Sequence, residues 1–342
     1  MSKKYNVAIV GATGMVGQKM VEILFERRFP VNNLKLLASS RSADSRVKAG
    51  GHEFIVEELV AGSFNDVDYA FFSAGGDISE KFAPEAVSRG TVVIDNSNAF
   101  RMEANVPLVV PEVNPDDAFK HQGIIANPNC STIQMVVALQ PLQQIAGIKR
   151  VVASTYQAVS GAGKEAVDEL YGQCRAVLEG KKVPTGRIPH KGALKNYQLA
   201  FNCVPQIDVF VEDGYSKEEM KMIRETRKIM NLPELSITTT TVRLPVVNGH
   251  SISLNVELEK PLTADQAREL MAKSPGIKVI DNPDQLEYPM PVDADDDDAV
   301  FVGRIRPDHS IKNGLNMWVV SDNIRKGAAT NSIQIAELLI AE

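Results

Sequence analysis

Short apolar segments alternate with amphipathic ones along the first 128 residues of the chain. The apolar segments have the length of buried strands, and they comprise residues 5–10, 34–38, 68–73, 91–95 and 123–127. Between them, residues 15–28 carry apolar side chains at helical spacing, and a second helix is expected around 79–89. Strands that alternate with helices predict a doubly wound α/β domain with a parallel sheet.

The pattern changes after about residue 128. Ser216 is expected to cap a helix. Residues 236–258 contain two β-prone runs around Asn248-Gly249, a dipeptide typical of hairpin turns. These features predict a second domain of the α+β class, whose sheet is mixed or antiparallel. The further elements expected in this half are helices at 130–146, 216–230 and 328–342 and a strand at 150–157.

Composition and charge narrow the class of protein. The chain has 342 residues, of which 44% are hydrophobic and 23% charged, and this is enough apolar material for two domain cores. Its net charge of −6 argues against a dedicated nucleic-acid binder. No apolar run approaches the ~20 residues that span a bilayer, so we expect no membrane partner. The acidic run at 295–298 is expected to be a solvated loop.

A glycine-rich turn follows the first predicted strand and precedes the first predicted helix. Glycines let the backbone approach a pyrophosphate, and the start of a helix offers free N–H groups to it. The GxxGxxG spacing at 11–17 differs from the common GxGxxG and is weak evidence on its own. The position of the turn between a predicted strand and a predicted helix strengthens the assignment. We predict a Rossmann-like dinucleotide site whose contacts include Gly11, Thr13, Gly14, Met15 and Val16.

The end of the second predicted strand indicates which dinucleotide is bound. NAD-preferring enzymes usually carry an acid there, which holds the ribose 2′-hydroxyl. In this chain the segment 38–42 reads ASSRS, with Ser39, Arg41 and Ser42 in place of an acid. These side chains could bind a 2′-phosphate, and the pattern therefore favours NADP over NAD. The alternative is a polar loop with one exposed arginine.

Cys130 differs from the other two cysteines in its predicted setting. Pro128 suits the turn before a helix, and the apolar helical pattern begins directly afterwards. A thiolate at a helix N-terminus is stabilised by the helix dipole and by free N–H groups, so Cys130 is a candidate nucleophile. Cys174 and Cys203 lack this setting and are expected to be ordinary buried or half-buried thiols. We expect no disulfide framework and no metal site, which fits a reducing cytoplasm.

Taken together, these segments resemble the bacterial aspartate-semialdehyde dehydrogenases over nearly the whole chain. The order and number of shared motifs carry the resemblance. They are GATGMVG at 11–17, ASSRS at 38–42, DNSNAFR at 95–101, NPNCST at 127–132, YQAVSGAG at 156–163, EEMK at 218–221, RLPVVNGHS at 243–251 and SDNIRKGAA at 321–329. The resemblance implies reduction of aspartyl-β-phosphate to aspartate semialdehyde by NADPH, with release of phosphate.

The resemblance also implies roles for particular residues. Cys130 would carry the acyl group as a thioester, and His250 would be the general acid/base, since histidine titrates near neutral pH. Gln157 would orient the substrate beside the thioester. Further cofactor contacts are expected from Ser160, Gly161 and Asn323, although some relatives have glutamine at the last position.

The implied substrate has three charged groups, and the resemblance assigns a counterpart to each. Arg243 would bind the α-carboxylate, because its planar guanidinium suits a carboxylate. Glu218 would face the α-ammonium group. Arg101 and Lys221 would hold the phosphate. Glu218 and Lys221 are three positions apart, which puts them on one face of the predicted helix.

The family further implies a homodimer or a homotetramer and a place in lysine (diaminopimelate), threonine and methionine biosynthesis. We expect residues 1–128 to form the NADP-binding domain, completed by a C-terminal helix at about 324–342. Residues 129–323 would form the catalytic and dimerisation domain.

Three other functions stay open at this point. Other phosphorylating aldehyde dehydrogenases, such as the N-acetylglutamyl-phosphate reductases and the glyceraldehyde-3-phosphate group, share the thioester chemistry. An acylated amine would have no charge for Glu218, which favours a free amino acid. A reductase of the extended short-chain type generally needs a YxxxK pair, and none of the tyrosines provides one. A non-catalytic NADP-binding protein would need only the glycine turn.

Overall fold

The computed structural model describes residues 3–341. The chain divides into two compact units: the first ends at Asn129 and resumes at Ala328, and the second comprises Cys130–Gly327. Each unit has a sheet of its own. The first unit alternates strands with helices, and the second has a mixed sheet, so the predicted fold class is confirmed.

The first unit contains a seven-stranded sheet with the order β3-β4-β2-β1-β5-β6-β7. All neighbouring strands run parallel except β3, which is antiparallel to β4 at the edge. The strands are β1 (Tyr5–Val10), β2 (Val31–Ala38), β3 (Arg46–Ala49), β4 (His52–Glu58), β5 (Tyr69–Phe72), β6 (Val92–Asp95) and β7 (Ile124–Ala126), and the helices are α1 (Met15–Glu26), α2 (Gly76–Ser88) and, from the end of the chain, α8 (Thr330–Ile340).

Both faces of this sheet are covered, which explains the continuous apolar runs of its central strands. Separate buried clusters lie on the two faces, and β1 contributes Val7 and Ile9 to one and Ala8 and Val10 to the other. Helix α8 belongs to the first of these clusters and also contacts α1. The end of the chain is therefore part of the first unit.

The second unit contains a six-stranded sheet with the order β11-β12-β13-β10-β8-β9. Its strands are β8 (Ile148–Gln157), β9 (Ser236–Arg243), β10 (His250–Leu258), β11 (Ile277–Val279), β12 (Val300–Asp308) and β13 (Gly314–Ser321), and its helices are α3 (Cys130–Ala146), α4 (Lys164–Leu178), α5 (Lys217–Ile229), α6 (Ala264–Ala272) and α7 (Pro291–Ala294). Ser216 caps α5 in a capping box with Glu219, which confirms the predicted helix start.

The predicted hairpin around Asn248-Gly249 is wrong. Strand β8 lies between β9 and β10, parallel to the first and antiparallel to the second, so β9 and β10 do not pair. Residues 244–249 instead form a connection that crosses the end of β8, and the backbone N–H groups of Val159 and Ser160 bond to its carbonyl oxygens. Gly249 still adopts the positive φ, 85°, that such a tight turn favours.

Among residues 3–341, no helix is both long enough and apolar enough to cross a membrane.

Candidate active site

The glycine turn of the first unit is shaped by two close backbone approaches. Gly11 has a φ of 83°, and a Cβ at this position would lie 2.5 Å from the carbonyl oxygen of Ser73. A Cβ on Gly17 would lie 2.2 Å from the carbonyl oxygen of Gly11. Gly14 occupies the N-cap of α1, directly before Met15. Thr13, Met15 and Val16 lie in this turn and in the first turn of α1, where helix N–H groups lack partners within the helix.

The candidate 2′-phosphate segment lies directly after β2. Ser39 precedes a short 3-10 turn, Ser40–Ser42, and both Ser39 and Arg41 are exposed. Strand β4 places a carboxylate, Glu58, in register with Ala38 at the end of β2. Sequence spacing did not indicate this acid, because it comes from a strand that the pattern did not predict. Whether the segment selects NADP stays a prediction.

Arg101 lies in the first unit and is nearly buried, with 7% of its surface exposed. Its guanidinium donates to the carbonyl oxygens of Asn127 and Asn96, at 2.9 and 3.0 Å. Asp95, at the end of β6, accepts hydrogen bonds from the hydroxyls of Ser79 and Ser97, each at 2.7 Å. The DNSNAFR segment therefore has a clear structural role, and the phosphate-binding role of Arg101 stays a prediction.

Cys130 is the first residue of α3, as its sequence context predicts. Cys130 is half-buried. A Cβ on Gly327 would lie 2.9 Å from the Cβ of Cys130, so only glycine fits at position 327. All three cysteines are free. Cys203 is exposed, which corrects the expectation of a buried or half-buried thiol, and Cys174 is half-buried.

Ala158, directly after β8, connects two of the predicted site residues. Its N–H group donates to Nδ1 of His250 at 3.0 Å, and its carbonyl oxygen accepts from the Arg243 guanidinium at 2.5 Å. A Cβ on Gly161 would lie 3.1 Å from Nε2 of His250 and 3.2 Å from Nη1 of Arg243. The imidazole and the guanidinium therefore converge on the same small space beside Gly161.

Burial and neighbouring charges change how these two groups titrate. Burial, and after it the positive charge of Arg243, lowers the pKa of His250 to about 3, while the negative charge of Glu218 acts in the opposite direction. Burial also lowers the pKa of Arg243 from its usual value, while the negative charges of Glu218 and Cys130 raise it. These interactions place Cys130, Arg243, His250 and Glu218 within one electrostatic cluster.

Helix α5 supplies the acidic part of this cluster. The Glu218 carboxylate accepts from Nε2 of Gln157 at 3.2 Å and from Nζ of Lys221 at 3.1 Å. Lys221 also pairs with Asp208 at 3.1 Å. Gln157 donates in addition to the hydroxyl of Ser131, the second residue of α3. The structure therefore brings Gln157 together with Glu218 and Lys221, although Gln157 lies 61 residues before Glu218 in the sequence.

Ser160 and Asn323 bond to each other, with the Asn323 amide donating to the Ser160 hydroxyl at 2.9 Å. The side-chain oxygen of Asn323, Oδ1, accepts from the N–H group of Gly249 at 3.0 Å. These contacts support the backbone directly before His250. Cofactor contacts by Ser160, Gly161 and Asn323 stay predictions.

Sequence reasoning missed one supporting network, and it corrects the prediction for the acidic run. Asn248 donates to Asp322 at 2.9 Å and to Asp295 at 2.5 Å. Arg325, with 7% of its side chain exposed, pairs with Asp296 and Asp298 at 3.0 and 2.8 Å. The run at 295–298 is thus tied to the segment after β13 instead of being a purely solvated loop. In the sequence this run was marked only by its charge, which did not indicate a partner residue.

Within residues 3–341, no group of three or more His, Cys, Asp or Glu could hold a metal ion.

Two family models match the chain. The semialdehyde dehydrogenase NAD binding domain matches residues 6–121, and the semialdehyde dehydrogenase dimerisation domain matches residues 139–326.

Similar proteins align over nearly the full length. The aspartate-semialdehyde dehydrogenase of Aquifex aeolicus is 56% identical over 99% of this chain and 98% of the relative. That of Bacillus subtilis is 53% identical over 99% and 98%. The crystal structure of aspartate semialdehyde dehydrogenase II from Vibrio cholerae matches with a TM-score of 0.95 at 47% identity, covering 99% of each chain. A structure of the Candida albicans enzyme with NADP matches with a TM-score of 0.74 at 26% identity, covering 98% of each chain.

Proposed function

The chain belongs to the aspartate-semialdehyde dehydrogenase family, and on that premise we propose that it reduces L-aspartyl-β-phosphate to L-aspartate-β-semialdehyde with NADPH and releases phosphate, reversibly. The observation that carries the proposal is the cluster around Cys130. A cysteine begins a helix, and a buried arginine, a buried histidine and a buried glutamate interact around it. This arrangement matches a nucleophilic thiol beside side chains that could bind the α-carboxylate and the α-ammonium group of an amino acid.

Cys130 is the proposed nucleophile. Its sulfur attacks the acyl carbon of the substrate, the bond from that carbon to the phosphate oxygen breaks, and the phosphate leaves with the electron pair. The enzyme then holds an aspartyl thioester, which is reduced to the aldehyde. The start of α3 and the nearby Arg243 both favour a thiolate over a thiol, because both present positive charge to the sulfur.

The charged groups of the substrate have proposed partners in the second unit. Arg243 would bind the α-carboxylate, and its Nε is buried without a hydrogen-bond partner among the described residues, which leaves a donor for a ligand. Glu218 would face the α-ammonium group, with Gln157 beside it as the orienting amide. Lys221 would hold the phosphate.

The glycine turn fits a dinucleotide. Any side chain on Gly11 or Gly17 would meet backbone within 2.5 Å, so this turn presents bare backbone to a phosphate. Bound there, NADPH supplies the hydride for the reduction. Ser39, Arg41 and Ser42 would favour the 2′-phosphate of NADP over NAD. We further propose a homodimer or homotetramer, a cytoplasmic location, and a role in lysine, threonine and methionine biosynthesis.

Replacement of Cys130 tests the covalent mechanism. We expect Cys130→Ala to abolish phosphate-dependent formation of NADPH from aspartate semialdehyde, while NADPH binding, measured by fluorescence titration, persists. Cys174→Ala is the matched control, because Cys174 is also a free, half-buried thiol, and it should keep wild-type turnover. Wild-type-like turnover by Cys130→Ala would exclude the thioester.

The same assay separates the alternatives. Turnover of N-acetylglutamate semialdehyde in preference to aspartate semialdehyde would assign the chain to the other reductase activity. NADPH binding without turnover of either substrate by the wild-type chain would indicate a non-catalytic protein. Parallel assays with NADP and NAD measure the cofactor preference.

A further inference from the structure

A carboxylate lies beside the segment that would bind the 2′-phosphate. Glu58 ends β4, and its backbone is in register with Ala38, the last residue of β2. The N–H group of Leu59 donates to the carbonyl oxygen of Ala38 at 2.8 Å, so the two strands stay paired to their ends. Since neighbouring strands lie about 4.8 Å apart, Glu58 is directly beside the point at which the chain leaves β2 for Ser39.

The segment after β2 stays close to β4. Its 3-10 turn, Ser40–Ser42, contacts β4. The N–H group of Asp44 then donates to the carbonyl oxygen of Val56 at 2.9 Å, and the N–H group of Val56 donates to the carbonyl oxygen of Ser45 at 2.9 Å. The segment therefore runs along β4 from Glu58 back to Val56.

Glu58 lies on the face of the sheet that α1 covers. Side chains alternate along a strand, so Glu58 is on the same side as Val56, which shares a buried cluster with Met20 and Leu24 of α1. Helix α1 follows the glycine turn, where the pyrophosphate would bind. In folds of this class the adenosine ribose then lies near the end of β2. The Glu58 carboxylate is therefore at the level expected for this ribose.

Both charged groups at this place are available to a ligand. Arg41 and Glu58 are exposed, and within the described part of the chain neither side chain forms a hydrogen bond or an ion pair. A guanidinium attracts a 2′-phosphate. A carboxylate repels a phosphate but accepts a hydrogen bond from a ribose hydroxyl. The two side chains thus act in opposite directions on the two dinucleotides.

We propose that Glu58 limits the discrimination between NADP and NAD: its carboxylate accepts a hydrogen bond from the adenosine ribose of NAD and repels the 2′-phosphate of NADP, while Arg41 attracts that phosphate. Glu58 comes from β4, yet it takes the place of the acid that NAD-preferring enzymes carry at the end of β2. The inference rests on the dinucleotide site proposed above and concerns its adenosine end alone. The wild-type chain should accordingly bind NADH measurably as well as NADPH.

Replacement of Glu58 by its neutral isostere tests the inference. We expect Glu58→Gln to lower the Kd for NADPH about fivefold, because one negative charge no longer opposes the phosphate. It should raise the Kd for NADH about threefold, because a hydrogen bond to a charged acceptor becomes a weaker one to a neutral acceptor. Both constants are measured by fluorescence titration. Shifts of the same direction and size for the two dinucleotides, or no shift in either, would overturn the inference.

Glu57 provides the matched control. It is also exposed and is in register with Leu37, whose side chain belongs to the buried cluster on the opposite face of the sheet. Glu57→Gln removes the same charge from the neighbouring position and should leave both Kd values within twofold of the wild type. If it reproduced the effects of Glu58→Gln, those effects would come from net charge and the proposed role of Glu58 would be wrong.

Ionic strength separates the two parts of the effect. Between about 0.01 M and about 1 M salt the Debye length falls from about 30 Å to about 3 Å. The advantage of Glu58→Gln over the wild type in NADPH binding should shrink over this range, because it comes from the loss of a repulsion. The disadvantage in NADH binding should persist, because it comes from a hydrogen bond. An advantage with NADPH that did not depend on salt would contradict the repulsion.

Two fragments locate the effect at the ribose. Adenosine 2′,5′-bisphosphate and adenosine 5′-monophosphate differ only in the 2′-phosphate, and their displacement of NADPH should show the same opposite shifts in Glu58→Gln. Equal shifts for the two fragments would overturn the inference.

Failure of the dinucleotide site itself would look different. Arg41→Ala would then leave the Kd for NADPH unchanged, whereas at the proposed site it should raise this Kd about tenfold. An intact effect of Arg41→Ala, with no change of preference in Glu58→Gln, would overturn only the role of Glu58.

Discussion

The glycine turn at 11–17 and the cluster around Cys130 are built in opposite ways. The turn is one continuous segment, and its function depends on side chains being absent, because its glycines leave room for backbone contacts only. The cluster draws on α3, β9, β10, α5 and the segment after β8, and its function depends on charged side chains buried against one another. The first site presents N–H groups that are fixed by the helix, whereas the second has to balance charges that burial makes costly.

This difference determines how each site should fail. A backbone site fails by steric exclusion, so the effect of a substitution should follow the space measured at that position. A site of buried charges fails when one member is removed, because the remaining charges lose their counterparts. The following predictions test this contrast, from the largest expected effect to the smallest.

Removal of Arg243 should have the largest effect. Its guanidinium is buried, bonds to the Ala158 carbonyl and interacts with both Glu218 and Cys130. Loss of one partner from a buried charge group costs about 2–5 kcal/mol. We therefore expect Arg243→Leu to lower kcat/KM for aspartate semialdehyde by about 10²–10³-fold.

The control for Arg243 is an arginine in a different environment. Arg224 lies on α5, with 51% of its side chain exposed, and pairs with Glu212 on the surface. Arg224→Leu should stay within about twofold of the wild type, because surface ion pairs contribute about 0–1 kcal/mol. Equal losses in the two variants, with unchanged thermal unfolding, would contradict the view that burial makes Arg243 sensitive.

Gly17 and Gly14 test the glycine turn as a matched pair. A Cβ would lie 2.2 Å from the Gly11 carbonyl oxygen at Gly17, but 3.3 Å from the same oxygen at Gly14. Overpacking of this kind costs about 1–3 kcal/mol. We expect Gly17→Ala to raise the Kd for NADPH by about 30-fold and Gly14→Ala by much less. Similar Kd values for both variants, measured by fluorescence titration, would show that available space does not control this turn.

Much of the fold could be predicted from periodicity, and each failure has a physical cause. Five of the seven strands of the first unit, the start of α3 at Cys130 and the cap at Ser216 follow from local patterns. The hairpin at Asn248-Gly249 was wrong because β8, about a hundred residues earlier, lies between the two strands. Strands β3 and β4 were missed because β3 is a four-residue strand at the sheet edge and β4, beside it, is largely exposed, so neither forms an apolar run.

The same reasoning applies to the two sites. The glycine turn could be located from its glycines and from its place between a predicted strand and a predicted helix, because all of it lies within seven consecutive residues. The residues around Cys130 were named only through resemblance, since no local pattern links Glu218 to Gln157 or Arg243 to Ala158. Contacts that depend on backbone atoms, such as the Ala158 bond to His250, leave no trace in residue types.

Stability against acid should depend on His250. Burial holds its pKa at about 3 in the folded protein, against about 6.5 in an unfolded chain, so the unfolded state binds more protons between these values. The stabilisation is complete above pH 6.5 and is lost as the pH falls towards 3. Between pH 6 and pH 5 we expect the wild type to lose about 1 kcal/mol more than His250→Gln, measured by urea unfolding. His309→Gln, at an exposed histidine, should behave as the wild type.

The smallest effect is expected at Ser160. Its replacement can distinguish a residue that supports the backbone of the active site from one that contacts the cofactor. If its hydroxyl mainly supports Asn323 and Asn248 and hence the backbone before His250, Ser160→Ala should lose its hydrogen bonds to these two side chains, each worth about 0.5–1.5 kcal/mol. We then expect kcat to fall about threefold while KM for NADPH stays within twofold. Ser274→Ala removes a comparable hydrogen bond, to Leu270, on another part of the second unit and should leave kcat unchanged. A rise in KM for NADPH with unchanged kcat would instead make Ser160 a cofactor contact, because only a group that touches the dinucleotide would change its binding without changing the chemical step.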